Sequence, residues 1–515
     1  MIPSMPTPDT QTSRSDSRQR FRHDGESITR VITIGSTEYS STIDTSDLEE
    51  NPTEAKPIDL PADLDGLPDW WWAVLKGHRP KPSLSRGPLR VAEVFCGPGG
   101  LAQGVRQFCR EAGFEFESVA AADLDAAAVD IYADNIGPDY IYKGKVSDLV
   151  VYEPVVEYVT KVDDDVEVRE VEDANWRNGS SPELTPGNEK WSGLRQENID
   201  LLLAGPPCEG HSNLNNHTRR DDERNATYLD VPALAIALDI PMVVIENVPT
   251  ARHDKGRVVQ IARALLENSG YWVDEGVLKA SSMGWPQTRS RFFMVARKKD
   301  LGPPVALEEV KEALYLDHGR KPLPVRWATD QWEDVETYED FSDKPDGGLD
   351  RLSTPKDRPD PGDPKQINTK KRLEWFENSE NEGKFDLPLD MHNKSHRPGH
   401  KRKDGTVVKK EDVTYTSVYG RMDPDLPAPT LTTGFVTPGR GRFIHPTRPR
   451  MLTPREAARL QGFPDDYRFA LPSESPHEPA KPPNTNLLTK WIGDAVPMPL
   501  GYAAALWVLT PESSD

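Results

Sequence analysis

The alternation of apolar and polar positions divides the chain into a regular middle and irregular flanks. From residue 89 onward, short apolar runs alternate with stretches of 3.6-residue period. Residues 89–95 read as a buried strand, and the segment after the glycines, to about 111, as a helix. A second strand is predicted at 118–122 and a helix at 126–135; 198–204 (NIDLLLA) is another buried strand. Residues 228–238 and 258–268 predict helices, and 242–246 (MVVIE), 271–279 and 291–296 (RFFMVA) predict strands. Strands that are apolar on both faces and alternate with helices predict an α/β fold, a mostly parallel sheet with helices on both faces. The rhythm returns at 452–463, a helix whose Thr453 and Glu456 have capping-box spacing, and at 499–509, an apolar helix.

The flanks change this picture. Residues 1–66 are polar, acidic and rich in Pro, Ser and Thr, and are expected to be a disordered tail. Residues 67–76 (LPDWWWAVLK) are apolar enough to dock on the folded body as a short helix. The expected organisation is a main lobe at 67–300 with a polar, acidic insertion at 152–197. A smaller irregular lobe follows at 301–447, and 448–512 returns to the main lobe. No internal repeat is visible.

Composition narrows the function classes. The 515 residues are 36% hydrophobic and include 48 prolines, which fits two lobes joined by loose chain. No apolar run approaches the roughly 20 residues of a membrane span, and the first residues lack the apolar core of a secretory signal. The three cysteines, Cys96, Cys109 and Cys208, lack zinc-ligand spacing, so no metal site is expected and a reducing cytoplasm fits. The net charge of −21 opposes a nucleic-acid partner only at first sight. Between 395 and 450 eleven Lys/Arg stand against five Asp/Glu, a local balance of +6.

Four segments carry candidate chemistry. Glu93-Val-Phe-Cys-Gly-Pro-Gly-Gly100 sits at a strand-to-helix junction, where glycines let the backbone approach a ligand; a purely structural turn is the alternative. Asp123 ends the next strand, where a carboxylate can accept from ribose hydroxyls. Gly205-Pro-Pro-Cys208 follows a buried strand, so its cysteine is either a nucleophile on a stiff loop or a small buried hydrophobe. Glu246-Asn-Val closes MVVIE, where desolvation would favour the protonated carboxyl; a solvated or capping role is the alternative. Gln287-Thr-Arg-Ser-Arg291 enters a strand with two arginines, either rigid donors or surface ion pairs.

The order of these motifs is more informative than any one of them. With Arg-x-Leu-Thr-Pro-Arg-Glu-x-x-Arg-Leu-Gln-Gly-Phe-Pro and Gly-Asp-Ala-Val-Pro, the series resembles the cytosine-5 DNA methyltransferase family, of the prokaryotic or phage restriction-modification or orphan type. The resemblance runs from about 89 to 509, apart from 152–197 and most of 300–430. It implies an S-adenosylmethionine-dependent, Rossmann-like methyltransferase sheet with a smaller target-recognition lobe at 301–447. It further implies methyl transfer to C5 of a cytosine flipped out of double-stranded DNA, through a covalent adduct of Cys208 at C6. Glu246 would contact N3, Arg291 would donate to O2, and Arg289 would brace this catalytic cluster.

For the donor S-adenosylmethionine, the resemblance implies Phe95, Gly97, Gly99, Gly100, Asp123, Asp148 and Leu149, with 493–497 folding back beside the glycine loop. Arg402, Lys403, Arg421, Arg440, Arg442 and Arg455 are candidates for DNA contact. Asp494 stands where the family usually has Asn and is expected near Glu246, or else paired with Arg289. Glu93 stands where Asp is usual. A monomer is expected, with a separately encoded cognate restriction endonuclease as a further candidate partner. The alternatives are an RNA (tRNA) cytosine-5 methyltransferase, opposed by the long 301–447 region, and a non-catalytic DNA- or cofactor-binding regulator.

Overall fold

The computed structural model describes residues 19–46, 60–61, 64–163, 166–186, 191, 193–207, 223–329, 400–401, 407–408, 421–437, 440–447, 451–471 and 483–512. It begins with a correction. Part of the expected disordered tail is a folded antiparallel sheet: β1 (Gln19–Asp24), β2 (Ser27–Ile34) and β3 (Thr37–Asp44), extended by β4 (Lys81–Pro82). Ile28, Ile32, Ile34, Tyr39 and Ile43 are buried, a period-two pattern that supplies one apolar face. Arg30 occupies the same face. Its guanidinium is buried 3.0 Å from Glu111 and lies 4.8 Å from the ring centroid of Trp71. Glu111 also accepts from Trp70 and Tyr502, so its charge is fully engaged.

The docked helix is α1 (Leu67–Leu75). The main sheet then builds from β5 (Gly87–Val94), α2 (Gly100–Ala112), β6 (Phe114–Asp123), α3 (Ala126–Ile136) and β7 (Tyr140–Lys143). Just before the expected insertion lies β8 (Val150–Val151); within it lie a long hairpin of β9 (Pro154–Asp163) and β10 (Val166–Trp176), and β11 (Glu183–Leu184), which pairs with β8. There follow β12 (Leu201–Ala204), α4 (Asp230–Ala237), β13 (Met242–Asn247), α5 (Val258–Asn268), β14 (Tyr271–Lys279) and β15 (Ser290–Lys298).

Seven strands pair in the order β14-β15-β13-β12-β5-β6-β7. The five strands from β13 to β7 are parallel, whereas β15 runs antiparallel to both β13 and β14. Successive residues of the central strands feed two separate cores. Leu201, Leu203 and Val244 face one, with α1, α2 and the N-terminal sheet. Leu202, Ala204, Val243 and Ile245 face the other, with α4 and α5. This is why the strands read as unbroken apolar runs.

Beyond β15 come α6 (Leu307–Leu314), α7 (Val325–Thr329), α8 (Pro454–Gln461), α9 (Thr485–Asp494) and α10 (Met498–Leu509). The capping box forms: Thr453 accepts from the Glu456 amide at 3.2 Å, and Glu456 accepts from the Thr453 amide at 2.8 Å. The segment Thr485–Leu509 is long and apolar enough to cross a membrane, but 94% of its most apolar window is buried. It is divided into α9 and α10 around Pro497. Helix α10 packs against α2 so closely that a Cβ on Gly104 would stand 2.4 Å from the Met498 carbonyl oxygen.

Candidate active site

The chain turns one way from β5, to β6 and β7, and the other way from β12, to β13. Their paired ends, Val94 and Ala204, mark the point where an open parallel sheet forms a crevice. Two loops leave this point, 95–100 and 205–207. Phe95 and Gly97 take positive φ (54° and 49°), as does Gly99 at 89° where α2 begins. A Cβ on Gly100 would lie 2.6 Å from the Val496 carbonyl oxygen, so the 493–497 segment does fold back beside the glycine loop.

Asp123 ends β6 alongside. It accepts from the Gly97 amide at 2.9 Å and the Asp125 amide at 2.8 Å, while burial raises its pKa above the usual carboxylate range. Glu93, beneath the loop, is fully buried, and burial pushes its carboxyl well up. Asp148 is exposed after a short turn, but Leu149 is buried in the core, so only the former is open to a ligand. One neighbour had no signal in the sequence: Leu124, between two aspartates, is 67% exposed. An uncovered apolar side chain beside a carboxylate and an open glycine turn fits a nucleoside with a partly apolar ring.

On the other side, Glu246 and Asn247 end β13. Because β15 runs antiparallel, its first residues lie at this same edge, with Glu246 opposite Phe293 and Asn247 opposite Phe292. Arg291 Nε thereby stands 2.8 Å from Glu246 Oε1, in a pair about 10% exposed. Burial raises the Glu246 pKa; Arg291 and Arg289 oppose it without cancelling it. Asn247 Nδ2 donates to the Pro206 carbonyl at 3.2 Å, and the Gly205 amide reaches the Val94 carbonyl at 3.4 Å. A Cβ on Gly205 would lie 3.6 Å from the Phe95 carbonyl oxygen and 3.7 Å from Glu246 Oε2. The loop leading to Cys208 is therefore fixed between the two sides. Cys208 itself lies outside the described residues, as do Arg402 and Lys403.

Arg289 is buried and donates to the carbonyls of Leu431 (2.9 Å), Gly493 (3.0 Å) and Asp494 (3.3 Å), so it holds these segments beside the Glu246–Arg291 pair. Other expectations need correction. The Asp494 carboxylate, expected near Glu246, instead sits 3.3 Å from Lys490 one turn earlier and is not among the charges that shift Glu246. Arg421 is buried and donates to the carbonyls of His445 and Pro446. Arg455 is buried in α8 and donates to the Asp465 carbonyl at 3.2 Å. Both brace the interior, so neither is presented to DNA. Arg440 is exposed and Arg442 half-buried. A basic run that the sequence reading passed over stands beside the site: Arg252, His253 and Lys255 are exposed just after Glu246-Asn247-Val248. The clustering of cations in Arg-His-Asp-Lys-Gly-Arg257 was its visible signal.

An open α/β sheet thus places a positive-φ glycine loop beside a buried Glu–Arg pair. Residues 151–506 match the C-5 cytosine-specific DNA methylase family, and the chain belongs to it. It is a DNA (cytosine-5)-methyltransferase, transferring a methyl group to C5 of cytosine in DNA. Type II methyltransferase M1.BsuMI of Bacillus subtilis is 32% identical over 95% of this chain and 94% of its own. Type II methylase M.HgiDII of Herpetosiphon aurantiacus is 27% identical over 59% of this chain and 74% of its own. The crystal structure of the S. pombe Dnmt2 methyltransferase covers 82% of this chain and 98% of that one at 15% identity and TM-score 0.46, too distant to bear on function. The family match together with 32% identity to a type II methyltransferase favours DNA methylation over the RNA and non-catalytic alternatives. Members of the family generally take their methyl group from S-adenosylmethionine.

Proposed function

We propose that the enzyme methylates cytosine through a covalent adduct of Cys208, with Glu246 and Arg291 holding the flipped base. The observation that carries this reading is the convergence at Gly205, whose loop touches the glycine-loop side and Glu246 at once. A thiolate leaving that loop at residue 208 would add to C6, pushing the C5–C6 electron pair towards C5 and the N3–O2 system. Glu246, whose protonated form burial favours, would donate to N3, and Arg291 would donate to O2, so the developing charge meets fixed donors. After C5 gains its methyl group, loss of the C5 proton and departure of the thiolate restore the ring. Reaching C6 requires the base to leave the duplex, at about a few kcal/mol of unstacking.

Phe95, Gly97, Gly99, Gly100, Asp123, Asp148 and Leu124 would hold the donor, S-adenosylmethionine, which supplies an electrophilic sulfonium methyl when bound. The 301–447 region, including Arg440 and Arg442, would read the target sequence. Arg252, His253 and Lys255 would contact phosphates beside the extruded base. The likeness to a type II methyltransferase supports a role in DNA modification. The enzyme would act as a monomer in a prokaryotic cytoplasm beside a separately encoded restriction endonuclease.

The test has two stages. Bisulfite sequencing of DNA from cells expressing the chain identifies the methylated sequence. A duplex of that sequence carrying 5-fluorocytosine, incubated with enzyme and S-adenosylmethionine, should then yield a band stable to denaturation. The band should be absent with Cys208→Ser. No adduct with the active parent enzyme would refute the mechanism.

A further inference from the structure

The wall of the donor site is not completed by the strands that begin it. Two side chains far along the chain reach back to it. Tyr467, in the Gly-Phe-Pro-Asp-Asp-Tyr segment after α8, is buried and donates its hydroxyl to the Pro98 carbonyl in the middle of the glycine loop. The Tyr467 hydroxyl sits so close that a Cβ on Gly99 would be 2.8 Å from it. The ring is fixed by Phe463 at 4.7 Å and Phe469 at 5.3 Å between centroids. Trp491, in α9, donates from Nε1 to Asp125 Oδ2 at 2.9 Å. Asp125 caps α3 by accepting from the Ala128 amide, and its own amide donates to Asp123. Tyr467 thus holds one edge of the donor site, and Trp491 holds the turn of Asp123, Leu124 and Asp125 at the other.

We propose that Tyr467 and Trp491 are positioning residues that set affinity for the methyl donor by fixing these two segments. The inference rests on S-adenosylmethionine being the donor. The Pro98 carbonyl is in a loop of positive φ angles, at 54° for Phe95, 49° for Gly97 and 89° for Gly99, a conformation that drifts unless something outside the loop restrains it. A hydroxyl from a rigid aromatic cluster is such a restraint. The Asp125 carboxylate likewise needs a fixed donor if the adjoining Asp123 is to keep its orientation. Neither residue belongs to the Glu246–Arg291 pair, so base chemistry should be indifferent to them once the donor is bound.

The experiment compares Tyr467→Phe and Trp491→Phe with the parent enzyme. Tyr467→Phe removes only the hydrogen bond, whereas Trp491→Phe removes its bond and part of a buried ring system as well, so melting temperature is followed for both. Calorimetric titration with S-adenosylhomocysteine in the absence of DNA should show a dissociation constant about three- to tenfold weaker for each variant. The double variant should approach the product of the two effects. KM for the donor should rise in step, with kcat at saturating donor within about twofold of the parent. Affinity for the target duplex without donor should not change. Unaltered S-adenosylhomocysteine binding, with only a lower melting temperature, would mean the two contacts are merely structural. Equal weakening of duplex binding would also overturn the proposal. If the parent itself fails to bind S-adenosylhomocysteine, the donor assignment fails instead, which is a separate result.

Discussion

The two sides of the crevice are made of different materials. The side proposed for the donor is mostly backbone: positive-φ residues, amides turned towards Asp123, and a carbonyl held by Tyr467. The side proposed for the base is mostly side-chain polarity, with Glu246 and Arg291 paired and Arg289 locked on three carbonyls. A site made of backbone is damaged by added atoms. A site made of charge is damaged by changes that add none.

Glu246→Gln should give the largest separation. It keeps shape but removes the acidic proton that can be transferred, so kcat should fall by about two to three orders of magnitude while S-adenosylhomocysteine binding stays at the parent value. Equal loss of both would show that the two sides are not distinct. In the parent, the raised Glu246 pKa means activity should decline as pH rises through it, once the base stands ionised. A pH–rate profile of the parent beside the Gln variant, which should lack that limb, checks the assignment.

Gly100→Ala is the converse. Its Cβ would meet the Val496 carbonyl at 2.6 Å, so backbone must shift. A loss of about 1–3 kcal/mol in urea unfolding is expected, with weaker donor binding. Asp230 sharpens the comparison from beneath the donor side. Burial raises its pKa to about 6; the hydrogen bond from Tyr152 opposes this and the Asp148 charge adds to it. A carboxyl that binds its proton more tightly when folded contributes less to stability as pH rises from about 4 to 6. Asp230→Asn should therefore gain on the parent by on the order of 2 kcal/mol near neutrality and lose that gain below pH 4. Equal stability at both pH values would contradict it. The smallest effect is expected from Arg252→Ala with Lys255→Ala. The slope of log affinity for duplex DNA against log salt should flatten by about 1.8, with kcat unaltered, if both contact phosphates.

Much of the sheet was legible because its strands are buried on both faces. Residues 258–268 and 271–279 stand at their expected limits, and Thr453 with Glu456 capped α8 as their spacing required. The direction of β15 was not legible, since periodicity is the same for either direction, yet that direction brings Arg291 to Glu246. The N-terminal sheet was missed because Arg30 interrupts the apolar alternation of β2 amid a polar, proline-rich flank. Its partner Glu111 lies 81 residues away, beyond any local pattern. Arg421 and Arg455 were misassigned for a related reason. An arginine facing phosphate and one facing interior carbonyls look alike until the carbonyls of Pro446 and Asp465 are in place.

The seam between α2 and α10 has a consequence for how the protein is made. Helix α2 leaves the ribosome early, but Met498, Gly501 and Tyr502, which pack against it, follow about 400 residues later, roughly 20 to 80 s at ordinary elongation rates. Throughout that interval Leu101 and Phe108, which meet Gly501 and Tyr502 in the finished fold, have no α10 to cover them.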